Sequence, residues 1–332
     1  MSQSFQRIRD AQRLPDPLRG GVVAIGNFDG VHRGHQAVLD RALEEAQRRG
    51  VPALVLTFDP HPRMVFRPET PLFLLTPPPL KAHILAELGF AAVVEQPFTR
   101  EFASLDAERF VTETLHDKLG ICYAVTGFDF HFGKNRQGGP AYLMDAGERL
   151  GFGVTLVDAF RDEGAEIVSS SRIRELLCEG EVAEAAGLLG YRFTVEAEVT
   201  GGKQLGRTLG FPTANMALPE STALKQGIYA VRFRRGDGTL HDGVASFGRR
   251  PTVDDNGAPL LETFLFDYSG DLYGQICRVS LFGYLRGEEK FDGLDALVAQ
   301  MKRDEQEARA LLAGVRPLSE LDRRLTFANE PA

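Results

Sequence analysis

Two periodicities divide this chain. From residue 21 to about 157, short apolar runs alternate with stretches whose apolar residues recur every three or four positions. Residues 21–26, 53–57, 91–94, 121–126 and 154–157 read as buried strands. Between the first two, Val38, Leu39, Ala42, Leu43 and Ala46 share one helical face, and 80–88 and about 106–118 repeat the helical signal. Strands separated by helices predict an α/β, Rossmann-like domain: a parallel sheet with helices on both faces. One more helix is expected over 172–189, ending at Gly190. Beyond it the period falls to two, over 193–199, 228–234, 241–247, 262–266 and 276–281, with turn clusters at 236–238, 254–257 and 269–271. Five or six antiparallel strands at that spacing predict a small β-barrel, followed by a charged helix over 294–312. The change of period divides the chain into residues 1–188 and 189–332.

Composition narrows the class. A chain of 332 residues has room for about two domains and buries enough surface to need no disulfide or metal staple. A net charge of −8 argues against a dedicated nucleic-acid binder, whose footprint is basic. Cys122, Cys178 and Cys277 are scattered, with no CxxC pair, as suits a reducing compartment. The first twenty residues mix Arg7, Arg9, Asp10, Arg13 and Asp16, unlike a signal peptide, and no run of eighteen apolar residues occurs. The expectation is a cytoplasmic protein, a monomer or weak homo-oligomer, acting on small molecules without nucleic-acid or membrane partners.

The candidate chemistry of the first domain gathers where strands end. Gly26-Asn27-Phe28-Asp29-Gly30-Val31-His32-Arg33-Gly34-His35 follows the first strand and opens a helix. Glycines there let the backbone approach a phosphate, and the helix start offers unpaired N–H groups. Two histidines three apart at such a terminus can donate to triphosphate oxygens; the competing reading, half of a zinc site, lacks an obvious third ligand. Thr57-Phe58-Asp59-Pro60-His61-Pro62 ends the second strand in a proline-stiffened loop, and Gly127 to Gly139 carries aromatics interleaved with Lys134 and Arg136. Ser169-Ser170-Ser171-Arg172-Ile173-Arg174 sets hydroxyls and arginines at a helix start, either a plain cap or an anion site.

In the second domain, Thr213 and Asn215 alternate on an extended segment after Gly206-Arg207-Thr208-Leu209-Gly210-Phe211-Pro212. Their oxygens suit Mg²⁺, although taken alone a capped turn is the more ordinary explanation. Glu262 alternates with Leu261 and Thr263 on a strand, facing either solvent or the barrel mouth.

Taken together, these segments resemble the bacterial bifunctional riboflavin kinase/FAD synthetase family. His32-Arg33-Gly34-His35 is similar to the signature of the His-x-Gly-His nucleotidyltransferases, and Pro212-Thr213-Ala214-Asn215 to that of riboflavin kinases. The resemblance implies two ATP-dependent reactions: phosphorylation of riboflavin to FMN, then adenylylation of FMN to FAD with release of pyrophosphate. It implies that His32 and His35 act at the adenylyl site, with Gly26 to Gly30, Ser169, Ser170, Ser171 and Arg174 on the nucleotide. It implies Asp59, His61, Asp129 and Arg136 on the flavin side of that domain. In the barrel it implies ATP on Gly206, Arg207, Gly210 and Thr213, Mg²⁺ on Thr213 and Asn215, Glu262 as the base for the riboflavin hydroxyl, and Asp304 and Arg309 beside the flavin. The chain departs from the pattern at Ser171 (commonly Thr), His131 (often Arg), Gly201 (often His) and Arg249 (usually Thr). Two rival readings are an adenylyltransferase for another phosphate monoester with a binding-only barrel, and a barrel that binds single-stranded nucleic acid, which the acidic balance disfavours.

Overall fold

The computed structural model describes residues 4–10, 12–201, 213–249 and 257–327. Gly206, Arg207, Gly210 and the turn residues 254–256 lie outside these. The chain forms two compact units, one ending at Ser169 and the other running from Ser170 onward together with Phe73–Leu75.

The first unit is built on a six-stranded parallel sheet in the order β1-β4-β3-β2-β5-β6. Its strands are β1 Gln6–Arg9, β2 Val22–Ile25, β3 Ala53–Asp59, β4 Ala92–Pro97, β5 Tyr123–Gly127 and β6 Gly153–Val157. Val23, Ile25, Leu54, Leu56 and Val94 join Phe110, Leu115 and Leu143 in one core cluster. On α1 (Arg33–Arg49), Val38, Leu39, Ala42 and Ala46 are buried, and this helix packs on β2 and β5. Both faces of the central strands are thus covered, which is why they read as continuous apolar runs. The strand order switches sides at β2: the chain goes outward through β3 and β4, then returns to place β5 on the other flank. In open α/β sheets the crevice at such a switch, beyond the carboxyl strand ends, is where ligands bind.

Three local readings change. Strand β1 carried no apolar signal, because its partner is charged: Glu95, 4% exposed on β4, accepts from Arg7 Nε at 2.7 Å and Arg9 Nε at 2.9 Å. The expected helix from 106 begins with Asp106 accepting the Arg109 amide and then widens into a π-type helix over Phe110–Leu119. The stretch 172–189 is two helices, Ser170–Glu179 and Val182–Leu189, broken at Gly180, whose φ of 85° ends the first.

The second unit is a near-closed antiparallel barrel in the order β7-β12-β9-β10-β11-β8. These strands are β7 Thr194–Glu198, β8 Thr213–Ala217, β9 Gly227–Arg234, β10 Leu240–Arg249, β11 Pro259–Leu265 and β12 Ile276–Arg286. The Thr200 amide donates to the Asn215 carbonyl at 2.8 Å, drawing the two ends of the sheet together. Helix α8 (Leu294–Gly314) brings Ala308 and Leu312 onto Ala230, Phe266 and Phe282 on the outer wall. A short last helix, Glu320–Thr326, is locked by Asp322, which is fully buried. Its carboxylate takes the Arg192 amide at 2.9 Å, the Leu318 amide at 2.9 Å, the Thr326 hydroxyl at 2.9 Å and the Arg192 guanidinium.

Removing one partner of such a buried ion pair leaves an uncompensated charge, at a typical cost of about 3–5 kcal/mol. Asp322→Ala is therefore expected to weaken the barrel unit by that amount. Hydrogen exchange across β7 and β12 measures it; protection equal to the parent's would show the lock to be dispensable.

Candidate active sites

In the first unit the site grows out of the end of β2. His32 precedes α1, and its Nδ1 accepts the His35 amide at 3.2 Å, so the ring caps the helix. A neutral ring that accepts at Nδ1 carries its proton on Nε2, leaving that N–H as a donor. The His32 and His35 rings stack at 3.6 Å with an interplanar angle of 16°. Phe28 meets His35 edge-on at 5.4 Å. Burial holds the His35 pKa well below the ordinary histidine value, and the neighbouring charges of His32 and Lys81 push the same way. A neutral pair can stack closely; two imidazolium ions at that distance would repel.

Little space is left over this pair. A Cβ at Gly34 would come within 3.1 Å of the His32 ring and 3.4 Å of the Val168 carbonyl. A Cβ at Gly26 would lie 2.9 Å from the Phe28 ring. Gly26 thus answers to the close approach of the Phe28 ring, and the room at Gly34 is tight. Phe28 and Val31 adopt φ of 48° and 39°, rare for bulky and β-branched residues, a strain found mostly at functional sites. Asn27 Oδ1 and His35 Nδ1 are shielded from solvent and meet no hydrogen-bond partner in the structure. Leaving such atoms unpaired costs about 1–3 kcal/mol each, which a polar ligand can recover.

The other expected residues of this domain fall into different surroundings. Asp29 is 2% exposed, and its Oδ1 accepts the Thr76 amide at 3.1 Å; it braces the loop. His61 caps the short helix Pro62–Phe66 by accepting the Arg63 amide at 3.1 Å, two residues beyond Asp59 at the end of β3. Asp129 is exposed; His131 Nδ1 lies 2.7 Å from its carbonyl and 3.1 Å from the Arg136 guanidinium. Where the resemblance led one to expect an arginine at 131, the Arg136 guanidinium thus lies against the His131 ring. In the second unit, helix Ser170–Glu179 starts at the serine run, and Arg174 Nε donates to the Phe73 carbonyl at 2.6 Å.

The barrel site is set by register. Glu262 lies directly opposite Asn215 on β8 and Ser246 on β10. Leu261, Thr263 and Leu265 are buried in the barrel interior, so alternation turns Glu262 and Asn215 together onto the outer wall. Of the two faces the sequence left open for Glu262, it takes the one it shares with Phe264, on the side where α8 packs. Asn215 Nδ2 donates to the Thr213 carbonyl at 3.3 Å, while Oδ1 is buried with no partner. A shielded neutral oxygen beside a hydroxyl fits a hard divalent cation. Arg249, where the resemblance led one to expect Thr, donates to the carbonyls of Glu220 at 2.8 Å and Thr222 at 3.0 Å. Asp304, 3% exposed, receives Arg286 through Nε at 2.8 Å and a terminal nitrogen at 2.7 Å, so it holds β12 to α8. Arg309 pairs with Asp267 at 2.9 Å and lies 4.3 Å over the Phe266 ring. Among the described residues no group of three or more His, Cys, Asp or Glu could hold a metal, and no helix is long and apolar enough to cross a membrane.

A loop with shielded, unpaired polar atoms at the end of a parallel strand, and a barrel with a carboxylate in register with an unpaired amide oxygen, suit a nucleotide-dependent transferase. Comparison with known proteins makes this particular. Residues 15–172 match the FAD synthetase family and residues 189–312 the riboflavin kinase family. The bifunctional riboflavin kinase/FMN adenylyltransferase of Escherichia coli K12 is 39% identical over 302 residues, covering 91% of this chain and 96% of its own length. The protein of that name from Pseudomonas fluorescens is 40% identical, over 93% and 98%. A solved structure named as a macrolide-efflux protein from Streptococcus pneumoniae superposes with a TM-score of 0.79 at 30% identity, over 92% of this chain and 99% of that one. The chain belongs to the bifunctional riboflavin kinase/FMN adenylyltransferase family.

Lys81, Thr76 and Thr57, which contact the His-x-Gly-His loop, were not singled out from sequence. Lys81 sits in an ordinary helical pattern, and only the prolines at 77–79 just ahead of it hint at a fixed position.

The state of His35 has a consequence for stability. The unfolded chain takes up a proton near pH 6.5 and the folded chain only well below it. The contribution of this group is therefore fully present above pH 6.5 and is lost as the pH falls. His35→Gln is expected to flatten the decline in melting temperature between pH 7.5 and pH 5.5. An unchanged slope would show that His35 protonates freely in the fold.

Proposed function

We propose that the parallel-sheet domain adenylylates FMN with ATP, releasing pyrophosphate, and that the barrel domain phosphorylates riboflavin with MgATP to supply that FMN. The observation that carries the reading is the coexistence in one chain of the strained His-x-Gly-His loop and the Asn215–Glu262 row, each with an orphaned polar atom. A barrel kept only for binding has no use for the second set.

At the adenylyl site, His32 through Nε2 and His35 face the charge that develops on the α-phosphate, and Asn27 lies beside them. Preorganised neutral donors stabilise such charge without reorganising at the moment of reaction. Asp59, His61, Asp129 and Arg136 are assigned to the flavin side. Ser169, Ser170, Ser171 and Arg174 keep a nucleotide role on the family pattern alone. At the kinase site, Thr213 and Asn215 hold Mg²⁺, which when bound neutralises the phosphates of ATP. Glu262 takes the proton of the riboflavin hydroxyl as general base. Gly206, Arg207 and Gly210 are assigned to the nucleotide, and Arg309 to the flavin border, where Asp304 acts through Arg286. Residues 1–188 and 189–332 are proposed as the separable catalytic pieces.

Incubation of the enzyme with riboflavin and MgATP, with flavins separated over time, is expected to give FMN before FAD. Absence of any flavin product would overturn the assignment. His35→Ala is expected to abolish FAD formation while FMN still accumulates. Glu262→Gln is expected to lower kcat for riboflavin by about 10²–10⁴-fold, with FMN adenylylation at the parent rate. A normal kcat would make the carboxylate a bystander.

The cation assignment has its own signature. Asn215→Ala is expected to raise the Mg²⁺ concentration needed for half-maximal phosphorylation, with much of the rate recovered at high Mg²⁺. A Mg²⁺ titration unchanged from the parent would remove Asn215 from the site.

A further inference from the structure

Lys81 is 7% exposed, an unusual position for an ammonium. It lies on the helix Pro78–Leu88, and its Nζ reaches the carboxyl ends of two strands. It donates to the Asn27 carbonyl at 2.7 Å and to the Thr57 hydroxyl at 3.2 Å, while that hydroxyl donates to the same Asn27 carbonyl at 3.1 Å. One main-chain oxygen at the tip of β2 therefore receives two donors, one of them charged. A few residues earlier on the same segment, Thr76 completes the bracket. Its hydroxyl accepts the Gly30 amide at 2.8 Å and lies 3.4 Å from the Phe28 carbonyl, and its own amide donates to Asp29. Asn27, Phe28, Asp29 and Gly30 are thus each tied to Thr57, Thr76 or Lys81.

This density of ties matches what the loop must hold. Phe28 and Val31 sit at positive φ, and such conformations persist only where surrounding structure over-determines them. A neutral donor would suffice to close a turn. A buried ammonium costs desolvation, which here holds the Lys81 pKa below its ordinary value and is only partly countered by the charges of Asp29, Glu95 and Asp59 nearby. What the charge adds is a rigid anchor directly under Asn27, whose Oδ1 has no partner, and an electrostatic push that helps keep His35 neutral.

We propose that Lys81 is a positioning residue for adenylyl transfer: from beneath the loop its ammonium fixes the Asn27 carbonyl, and thereby the aim of Asn27 and the His32/His35 pair, without touching the nucleotide. The proposal rests on the reading of this loop as the adenylyl site.

The test compares full-length Lys81→Met, Thr57→Val and the double variant in FMN-to-FAD conversion, with kcat and KM for ATP read separately and folded fraction taken from circular dichroism. Misplacement of reacting groups by an ångström costs about 10²-fold in rate. Lys81→Met is expected to lose about 30–100-fold in kcat per folded molecule, with KM for ATP within about threefold of the parent. Thr57→Val, which removes one hydroxyl and no charge, is expected to lose about three- to tenfold. The double variant is expected to be no worse than Lys81→Met, because both groups act on one carbonyl. A Lys81→Met enzyme whose folded molecules keep kcat within twofold overturns the proposal, as does multiplication of the two losses in the double variant. Should Lys81→Met fail to fold, an unchanged kcat in Thr57→Val overturns it and the predicted loss supports it. A parent enzyme that makes no FAD from FMN overturns the adenylyl reading itself, a failure visible before any variant is measured.

Discussion

The hydrogen bond from the His35 amide to His32 Nδ1 governs the nucleotidyl site. It satisfies one of the amides that every helix start leaves unpaired, so α1 begins where it does. It fixes the tautomer of His32, which directs the remaining ring N–H away from the helix. It also sets the rings of His32 and His35 face to face at 3.6 Å, a geometry that only uncharged imidazoles hold comfortably. Gly34 between them suits this closeness: a Cβ there would lie 3.1 Å from the His32 ring and 3.4 Å from the Val168 carbonyl, so the ring would have to give by a few tenths of an ångström. The motif is thus a helix cap whose capping group is also the one proposed to donate to the phosphate.

The barrel solves a different problem with different means. Its site depends on strand register, because Asn215, Glu262 and Ser246 lie in one row only if β8, β11 and β10 pair as they do. A slip of one residue would turn Glu262 into the interior and put Thr263 or Leu261 on the outer wall. The buried inner row of Leu261, Thr263 and Leu265 therefore protects the chemistry as well as the core. Arg249 ties the end of β10 to the carbonyls of Glu220 and Thr222, holding the frame near the site without taking part in it.

The sequence carried the sheet and barrel because both are written in hydrophobic period, which is local. What it did not carry depends on partners far along the chain. Strand β1 is a strand because Glu95, eighty-odd residues away, sits between Arg7 and Arg9; alone, Gln6–Arg9 looks like solvent-facing coil. The break at Gly180 needed a positive φ that an alanine-rich helical pattern conceals. The motif residues His32, His35, Asn215 and Glu262 were visible by type and spacing. The face on which Glu262 stands was not, since alternation gives two faces and only burial says which is inside. Asp304 was legible as a charged helix residue but not as the buried acceptor of Arg286.

The two sites differ in electrostatics as their reactions require. Adenylyl transfer moves a phosphorus centre that already carries negative charge, and the His-x-Gly-His loop proposed to receive it offers imidazoles and an amide, with Lys81 held beneath the loop. Such a site stabilises spread charge through directed donors and needs no group that titrates near neutral pH. Phosphorylation of an alcohol instead demands that a proton leave a weak acid, and the proposed kinase site sets a carboxylate on the outer wall in register with an unpaired amide oxygen. A carboxylate placed among the nucleotidyl donors would repel the triphosphate, and an imidazole pair in place of Asn215 would select against Mg²⁺. Two compact units, each with its own sheet and core, let the residues of one loop change without cost to the packing of the other.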